Sequence, residues 1–139
     1  FKDEDFLSKY PEVSFVESLN IIYENADIIS LHLPHNKETE HLINKEVIFK
    51  KLKRKPILIN TARGMLVDVK ALIKGLKTKH LAGYLTDVLA HEPMLKDEVL
   101  LGLDNVIITP HIGSRTYESV QRQGVMAVNN LLNLLKSEN

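Results

Sequence analysis

The sequence predicts an α/β domain built on a doubly wound parallel sheet. Short apolar runs bounded by Pro, Gly or Asn occur four times, at 27–34, 56–62, 81–88 and 105–111. Amphipathic segments, in which apolar residues recur every three or four positions, separate the first three runs and follow the last one. Because strands that alternate with helices are joined by right-handed crossovers, the strands are expected to be parallel.

The first elements follow from local spacing and capping. The chain begins with a polar stretch and a short β-branched and aromatic run, VSFV, at 13–16. Apolar residues at helical spacing predict a helix over 19–26, and Ser18 is a suitable N-cap for it. The run DIISLHLP at 27–34 is almost continuously apolar and ends in proline, as expected for a parallel strand that is buried on both faces.

Three further helices are predicted. The first covers 44–55, with Asn44 as its cap and a basic end that suits the helix dipole. The second covers 68–77, where Asp68 can cap the helix and four apolar residues make one face. The third covers 116–136 and is long and amphipathic, with an apolar stripe along its whole length.

The composition excludes several classes of function. With 139 residues, 44% of them hydrophobic and 26% charged, the chain fits one globular domain with a core. Eighteen basic and eighteen acidic residues cancel, so the overall charge favours neither nucleic acid nor anionic lipid as a partner. No apolar run approaches the roughly 18 residues that span a bilayer. The absence of cysteine and of a signal-like segment favours a cytoplasmic protein.

Two local features could indicate other functions, but neither fits well. The basic run KKLKRK at 50–55 is short and lacks interleaved aromatic residues, so it is interpreted as a solvated helix end rather than a nucleic-acid site. His32 and His35 form an HxxH pair, but a strand end followed by proline does not hold them on one face. Because neither cysteine nor an acid lies at ligand spacing, no metal site is predicted.

Ionisable side chains follow the predicted strands at their carboxyl ends: His32, Arg63, Asp87 with Glu92, and His111. In an open parallel sheet, ligands bind in the crevice outside these ends. The five side chains are therefore expected to converge on one site.

Arg63 has two interpretations. Its planar guanidinium can bind a carboxylate through two parallel hydrogen bonds, and the following glycine, Gly64, would let a ligand approach the backbone closely. An internal ion pair with Asp68 or Asp87 explains the same position equally well.

His111 also has two interpretations. Its imidazole can move a proton near neutral pH, and an adjacent carboxylate such as that of Glu92 would favour the charged form of the ring. A hydrogen-bonded structural histidine is the commoner outcome for a histidine considered without its context.

Three stretches of the chain resemble the D-isomer-specific 2-hydroxyacid dehydrogenases, a family that includes D-lactate, D-glycerate and D-3-phosphoglycerate dehydrogenases. They are ADIISLHLPHNKETEHLI (26–43), PILINTARGMLVDVKAL (56–72), and TDVLAHEP followed by LDNVIITPHIG (86–93 and 103–113). They occur in the family's order and cover nearly all of the chain from Val13 onward. The resemblance implies a partial Rossmann-like fold and an NAD-dependent oxidoreductase that interconverts a D-2-hydroxy acid and its 2-oxo acid, with NADP left open as the cofactor.

The resemblance also implies roles for individual residues. Arg63 would bind the carboxylate and carbonyl of the 2-oxo acid, His111 would be the general acid and base, and Glu92 would tune His111. Formate dehydrogenases of the same fold are similar too, but they pair the histidine with glutamine, so Glu92 favours a hydroxy acid. The cofactor contacts that the resemblance implies are Leu33 and Pro34 in the cleft, Thr61 and Ala62 along the nicotinamide, Asp87 at its carboxamide, and Arg63, His111 and Gly113.

The resemblance covers only part of a dehydrogenase. The glycine loop GxGxxG that binds the dinucleotide phosphates does not occur in these 139 residues. Residues 1–115 are therefore expected to be the C-terminal portion of the NAD-binding domain, and 116–139 a C-terminal helix that returns to a substrate domain lying elsewhere. This piece alone is expected to bind NAD poorly and to have no turnover.

The full-length protein is expected to be a cytoplasmic homodimer that acts on a small 2-hydroxy or 2-oxo acid, with no nucleic-acid or membrane partner. Corepressor proteins of the same fold keep the arginine, glutamate and histidine, so a non-catalytic NAD-sensing relative remains the alternative. The chain also departs from the family at Arg115, where a small residue is usual, and at Leu85 and Thr86, which are bulkier than the common residues before the aspartate.

Overall fold

The chain folds around a four-stranded parallel sheet, in a computed structural model that describes residues 3–137. The strands are β1 (Ile28–Leu31), β2 (Ile57–Asn60), β3 (Gly83–Thr86) and β4 (Val106–Ile108). They pair in sequence order and in parallel. Each lies inside one of the four apolar runs, so the predicted parallel α/β fold is confirmed.

The described part of the chain has four α-helices: α1 (Glu4–Lys9), α2 (Leu19–Asn25), α3 (Val69–Lys77) and α4 (Tyr117–Ser137). All three predicted caps are confirmed. Asn44 Oδ1 accepts a hydrogen bond from the N–H of Val47 at 3.1 Å. Ser18 Oγ accepts a hydrogen bond from the backbone N–H of Asn20 at 3.3 Å. Asp68 Oδ1 accepts hydrogen bonds from the N–H groups of Lys70 and Ala71 at 3.0 and 3.1 Å, which satisfies two N–H groups that an α-helix leaves without internal partners.

The core lies on one face of the sheet. Because side chains alternate along a strand, β1 places Ile29 and Leu31 on this face, where both are buried. Leu72 and Leu76 of α3 belong to the same hydrophobic cluster. This cluster fixes the ends of the strands, and the loops that follow them carry the candidate site.

The other face of the sheet is more exposed, so the predicted burial of β1 on both faces is wrong for the described residues. Ile28 is 60% exposed and Ser30 is also exposed. The strand register places Ser30 in one row with Ile59, Leu85 and Ile107, and Ile107 is again 60% exposed. The physical reason is that the described helices leave this row partly uncovered, although three of its four residues are apolar.

One prediction for the first 60 residues also needs correction. Residues 13–16 (VSFV), for which no element was predicted, are irregular, and the polar stretch before them contains the short helix α1. The helix predicted over 44–55 is helical only over 45–51, with a π-helical turn at Val47–Lys51. It ends at Lys51, where Leu52 turns to extended backbone with φ −68° and ψ 119° and its N–H closes the π-helical turn on the carbonyl of Val47.

The long helix α4 matches the predicted 116–136 closely. Its apolar stripe is exposed in the described part of the chain, as at Val120 (57%) and Leu131 (58%). None of the helices among residues 3–137 is long and apolar enough to cross a membrane.

Candidate active site

Loops at the carboxyl ends of β2, β3 and β4 meet at one edge of the sheet, as predicted. The loop after β2 carries Arg63, the loop after β3 carries Asp87 and Glu92, and the loop after β4 carries His111. A cavity of about 210 Å³ joins three of these residues, Arg63, Glu92 and His111. His35 lines the same cavity, although the sequence analysis considered it only as a metal ligand.

Asn60 shapes the loop that carries Arg63. Its side chain is fully buried at the end of β2, where Oδ1 accepts a hydrogen bond from the N–H of Ala62 at 3.1 Å. Its Nδ2 donates to the carbonyl of Arg63 at 2.9 Å and to the hydroxyl of Tyr84 at 3.3 Å. Asn60 was not among the residues predicted from the sequence. It could have been, because an asparagine at the end of a buried apolar strand must find buried hydrogen-bond partners.

The Arg63 side chain is exposed and forms no ion pair with a carboxylate among residues 3–137. Its Nη1 donates to the carbonyl of Ala62 at 2.6 Å. Asp68 caps α3 and Asp87 binds the loop after β4, and among the described residues neither forms an ion pair with Arg63. The structure therefore does not contain the ion pair of Arg63 with Asp68 or Asp87, and the guanidinium is available to an anion from outside.

Gly64 is required by a backbone contact within the chain. A Cβ atom at this position would lie 2.1 Å from the carbonyl carbon and 2.2 Å from the carbonyl oxygen of Leu89. The loops after β2 and β3 therefore touch through their backbones. Gly64 was expected to let a ligand approach the backbone closely. In the structure, the group that approaches Gly64 is the backbone of Leu89.

Replacing Gly64 by alanine is expected to destabilise the protein by about 1–3 kcal/mol, because the added methyl group must push two backbone segments apart. It should also lower activity, since Arg63 and Glu92 lie on the displaced segments. Denaturant unfolding measures the stability. The matched control is Gly102→Ala, because a Cβ at Gly102 has no atom within 4 Å. Equal stabilities for the two variants would contradict the packing role.

Glu92 and His111 link the loops after β3 and β4. His111 Nδ1 lies 2.6 Å from Glu92 Oε2, and Glu92 Oε1 accepts a hydrogen bond from the N–H of Leu89 at 2.9 Å. Their side chains are 37% and 44% exposed, so the pair is open to a ligand. Because Nδ1 is used by Glu92, the ring presents Nε2 as its other nitrogen.

The pKa of Glu92 lies below its ordinary value. Desolvation by burial acts to raise this pKa, but the hydrogen bonds from His111 and the Leu89 N–H outweigh it, together with the charges of His111 and Arg63. The carboxyl group is therefore ionised at neutral pH and can hold the imidazole in one tautomer and orientation.

Asp87 fastens the loop that carries His111. Its Oδ1 accepts hydrogen bonds from Thr109 Oγ1 at 2.5 Å and from the N–H of Ile112 at 3.0 Å, and its Oδ2 accepts one from the N–H of Gly113 at 2.8 Å. Desolvation acts to raise the pKa of Asp87, but these hydrogen bonds and the charge of His111 hold it below its usual range. The loop places His111 at a φ of 54°, a conformation that Asp87 helps to fix.

Another cavity, of about 320 Å³, lies at the carboxyl ends of β1 and β2. It is lined by His32, Leu33, Pro34, Thr61, Ala62 and Arg63. His32 Nε2 is hydrogen-bonded to Ser30 Oγ at 2.9 Å. The apolar side chains give a planar ring a surface to lie on, and Arg63 adjoins it, so these residues fit the nicotinamide end of a dinucleotide. Within residues 3–137, no three His, Cys, Asp or Glu side chains are grouped to hold a metal ion.

Comparison with known proteins agrees with this geometry. The family model for the NAD-binding domain of D-isomer specific 2-hydroxyacid dehydrogenases matches residues 3–113. A glyoxylate reductase of Thermofilum pendens is 44% identical over 92% of the chain, and an (S)-sulfolactate dehydrogenase of Chromohalobacter salexigens is 42% identical over 86% of it. The chain spans only 37% and 38% of these two relatives.

A solved structure gives the same result. The NAD complex of a D-isomer specific 2-hydroxyacid dehydrogenase from Lactobacillus delbrueckii ssp. bulgaricus superposes with a TM-score of 0.83 at 31% identity. The match covers 99% of this chain and 44% of that one. It includes the C-terminal helix as well as the sheet.

Proposed function

Because this chain belongs to the D-isomer specific 2-hydroxyacid dehydrogenase family, we propose that the full-length protein interconverts a D-2-hydroxy acid and its 2-oxo acid with NAD. The observation that carries the proposal is the 2.6 Å contact between His111 and Glu92 in a cavity shared with Arg63. A cation that can bind a carboxylate and a carboxylate-paired imidazole are the two groups this reaction needs from the protein.

Arg63 binds the substrate. An exposed guanidinium with no internal carboxylate partner offers two parallel N–H groups to the substrate carboxylate. The Asn60 side chain hydrogen-bonds to the backbone of Ala62 and Arg63, which fixes the loop that carries the arginine. Binding at Arg63 brings C2 of the substrate into the cavity that His111 lines.

His111 transfers the proton. In reduction, C2 gains a hydride, the carbonyl π electrons move to oxygen, and the imidazolium gives that oxygen a proton through Nε2. In oxidation, neutral Nε2 takes the hydroxyl proton as the hydride leaves C2. Glu92 stays ionised in both directions and stabilises the imidazolium through Nδ1.

The cofactor supplies the hydride in reduction and accepts it in oxidation when it is bound. The residues of this chain that would hold its nicotinamide end are Leu33, Pro34, Thr61 and Ala62, with Asp87 and Gly113 nearby. Both oxygens of Asp87 already accept hydrogen bonds from the loop after β4, so a carboxamide would have to share one of them.

We also propose that residues 1–115 are the C-terminal portion of an NAD-binding domain and that 116–139 return to a substrate domain. The exposed apolar stripe of α4 and the greater length of the relatives support this division. On this view the piece alone binds NAD poorly, and the active protein is a cytoplasmic homodimer.

The proposed function is tested by turnover of the full-length protein. NADH consumption is measured by absorbance with glyoxylate, hydroxypyruvate and pyruvate, and NAD reduction with D-lactate. Turnover of at least one of these acids is expected. If NADH binds but no acid in the panel reacts, the protein is a non-catalytic relative of the corepressor kind.

Replacing Glu92 by glutamine is expected to shift the pH profile. The ionised Glu92 stabilises the imidazolium of His111 through Nδ1, and reduction requires this imidazolium. Glutamine keeps a hydrogen bond to Nδ1 but lacks the negative charge, so kcat/KM for reduction should fall and its alkaline limb should move to lower pH.

The matched control for Glu92 is Glu46→Gln. Glu46 lies 3.7 Å from Lys51 and is therefore also paired with a cation, but it lies away from the three loops. Its profile should coincide with that of the wild type. A profile of Glu92→Gln that also coincides with the wild type would remove the glutamate from the proton transfer.

A further inference from the structure

A larger cavity also adjoins the Glu92 and His111 pair. Its volume is about 560 Å³, and apolar side chains make most of its wall, among them Met94, Leu101 and Ile108. Glu92 and His111 line both this cavity and the smaller one that contains Arg63. The imidazole therefore lines two cavities, and the proposed reaction takes place in the smaller one.

Four charged or ionisable side chains line the larger cavity, and three of them are already paired. Asp87 accepts three hydrogen bonds from the loop after β4, and Glu92 and His111 bind each other. The fourth is Arg115. Its guanidinium forms no hydrogen bond and no ion pair with any residue between 3 and 137.

Arg115 is anchored to the same turn as His111. Its backbone N–H donates to the carbonyl of Ile112 at 2.9 Å, and Asp87 binds the N–H of Ile112 and Gly113 in that turn. The guanidinium and the imidazole are thus carried by one fixed segment of five residues. A substrate held at Arg63 with its C2 at His111 can extend into the larger cavity, because Glu92 and His111 line both cavities, and Arg115 lines the larger one.

We propose that Arg115 binds a second anionic group on the substrate, so that the preferred 2-oxo acid carries a carboxylate, sulfonate or phosphate on its side chain. This inference rests on the proposed function. A guanidinium beside an apolar wall binds such groups through parallel hydrogen bonds and is less costly to desolvate than an ammonium. The two carboxylates that also line the cavity do not oppose the anion strongly, because each is already bound to donors.

The first experiment measures binding without turnover. D-malate and D-lactate differ by one carboxylate on C3, and in the presence of NADH neither can transfer a hydride. Calorimetry on the full-length protein with NADH should show D-malate binding at least tenfold more tightly than D-lactate. In Arg115→Ala this preference should disappear, and in Arg115→Lys part of it should remain. A D-malate preference that persists in Arg115→Ala, or that is missing in the wild type, overturns the proposal.

The second experiment measures turnover with NADH on oxaloacetate, 3-sulfopyruvate and pyruvate. In Arg115→Ala, kcat/KM should fall about 10- to 100-fold for the first two acids, mainly through KM, and stay within twofold for pyruvate. The acid with the larger loss identifies the preferred anion. The control is Lys70→Ala, which removes an exposed cation from α3 that lines neither cavity. An equal loss on all three acids makes Arg115 merely structural and overturns the proposal.

The two experiments separate this proposal from the proposed function. Turnover of pyruvate or glyoxylate with no Arg115-dependent preference rejects the second anion site and keeps the dehydrogenase. Arg115-dependent binding of D-malate with no turnover of any acid keeps the anion site and rejects the enzyme.

Discussion

His111→Asn is expected to lower kcat of the full-length protein by about 10²–10⁴-fold, with KM for the 2-oxo acid changed only a few-fold. Asparagine cannot supply or remove a proton near neutral pH, whereas substrate binding depends mainly on Arg63. It is the appropriate substitute because the backbone of His111 has a φ of 54°, and asparagine is one of the few residues that adopt this conformation readily. The measurement is steady-state reduction of a 2-oxo acid by NADH.

The chain offers a matched control for this variant. His41 also has positive φ, at 51°. Its backbone N–H donates to the carbonyl of Met65 at 2.9 Å, a contact that asparagine would keep, and His41 does not line the cavity shared by Arg63, Glu92 and His111. His41→Asn should therefore keep wild-type kcat. If His111→Asn retains activity within threefold of the wild type, the general acid is another group and the proposed mechanism is wrong.

The second large effect is expected at Arg63. Arg63→Ala should lower kcat/KM by about 10²–10³-fold, because in the proposed mechanism the arginine binds the substrate carboxylate and stabilises the charge that develops on the C2 oxygen. The loss should appear in both KM and kcat. Arg63→Lys should recover only part of it, since an ammonium keeps the charge but lacks the planar pair of N–H groups.

Arg54→Ala is the control for the loss of an arginine. Arg54 Nε lies 2.7 Å from Asp27 Oδ1, an exposed ion pair, so its removal should cost little stability and leave the kinetics unchanged. Wild-type kcat/KM in Arg63→Ala would contradict the assignment of the substrate carboxylate to this residue.

The sequence was sufficient where the determining interactions are local. Asp68 caps α3 through the N–H groups two and three residues later, and such a contact depends only on neighbours in the chain. The four strands were found for a similar reason, because each is a short apolar run with turn residues on both sides. The convergence of Arg63, Glu92 and His111 followed from topology alone, since parallel strands end at the same edge.

The rest depends on contacts between distant parts of the chain. The buried side chain of Asn60 bonds to Tyr84, 24 residues away, and Gly64 meets the backbone of Leu89. Neither contact has a local pattern. The partial exposure of Ile28 and Ile107 could not be predicted either. An apolar run indicates that a strand can be buried, but it does not indicate which elements cover the strand.

Asp87 was predicted to bind the cofactor, and in the structure it also has a second role. The family resemblance implied a contact with the nicotinamide carboxamide, and that contact stays a prediction. The hydrogen bonds to Thr109, Ile112 and Gly113 show that the carboxylate also fixes the loop on which His111 lies. The strand-end position revealed that Asp87 belongs to the site, but not that its partners are within the chain.

In the proposed mechanism, hydride is exchanged at C2 of a 2-oxo acid bound between Arg63 and His111. This step is tested by reduction of pyruvate or oxaloacetate by the full-length protein with NADH that carries two deuterium atoms at C4 of the nicotinamide, followed by mass spectrometry and chiral analysis of the product. We expect a D-2-hydroxy acid with one deuterium at C2, formed at least a hundredfold more slowly by His111→Asn. A product without deuterium, a product of L configuration, or no product would contradict the account.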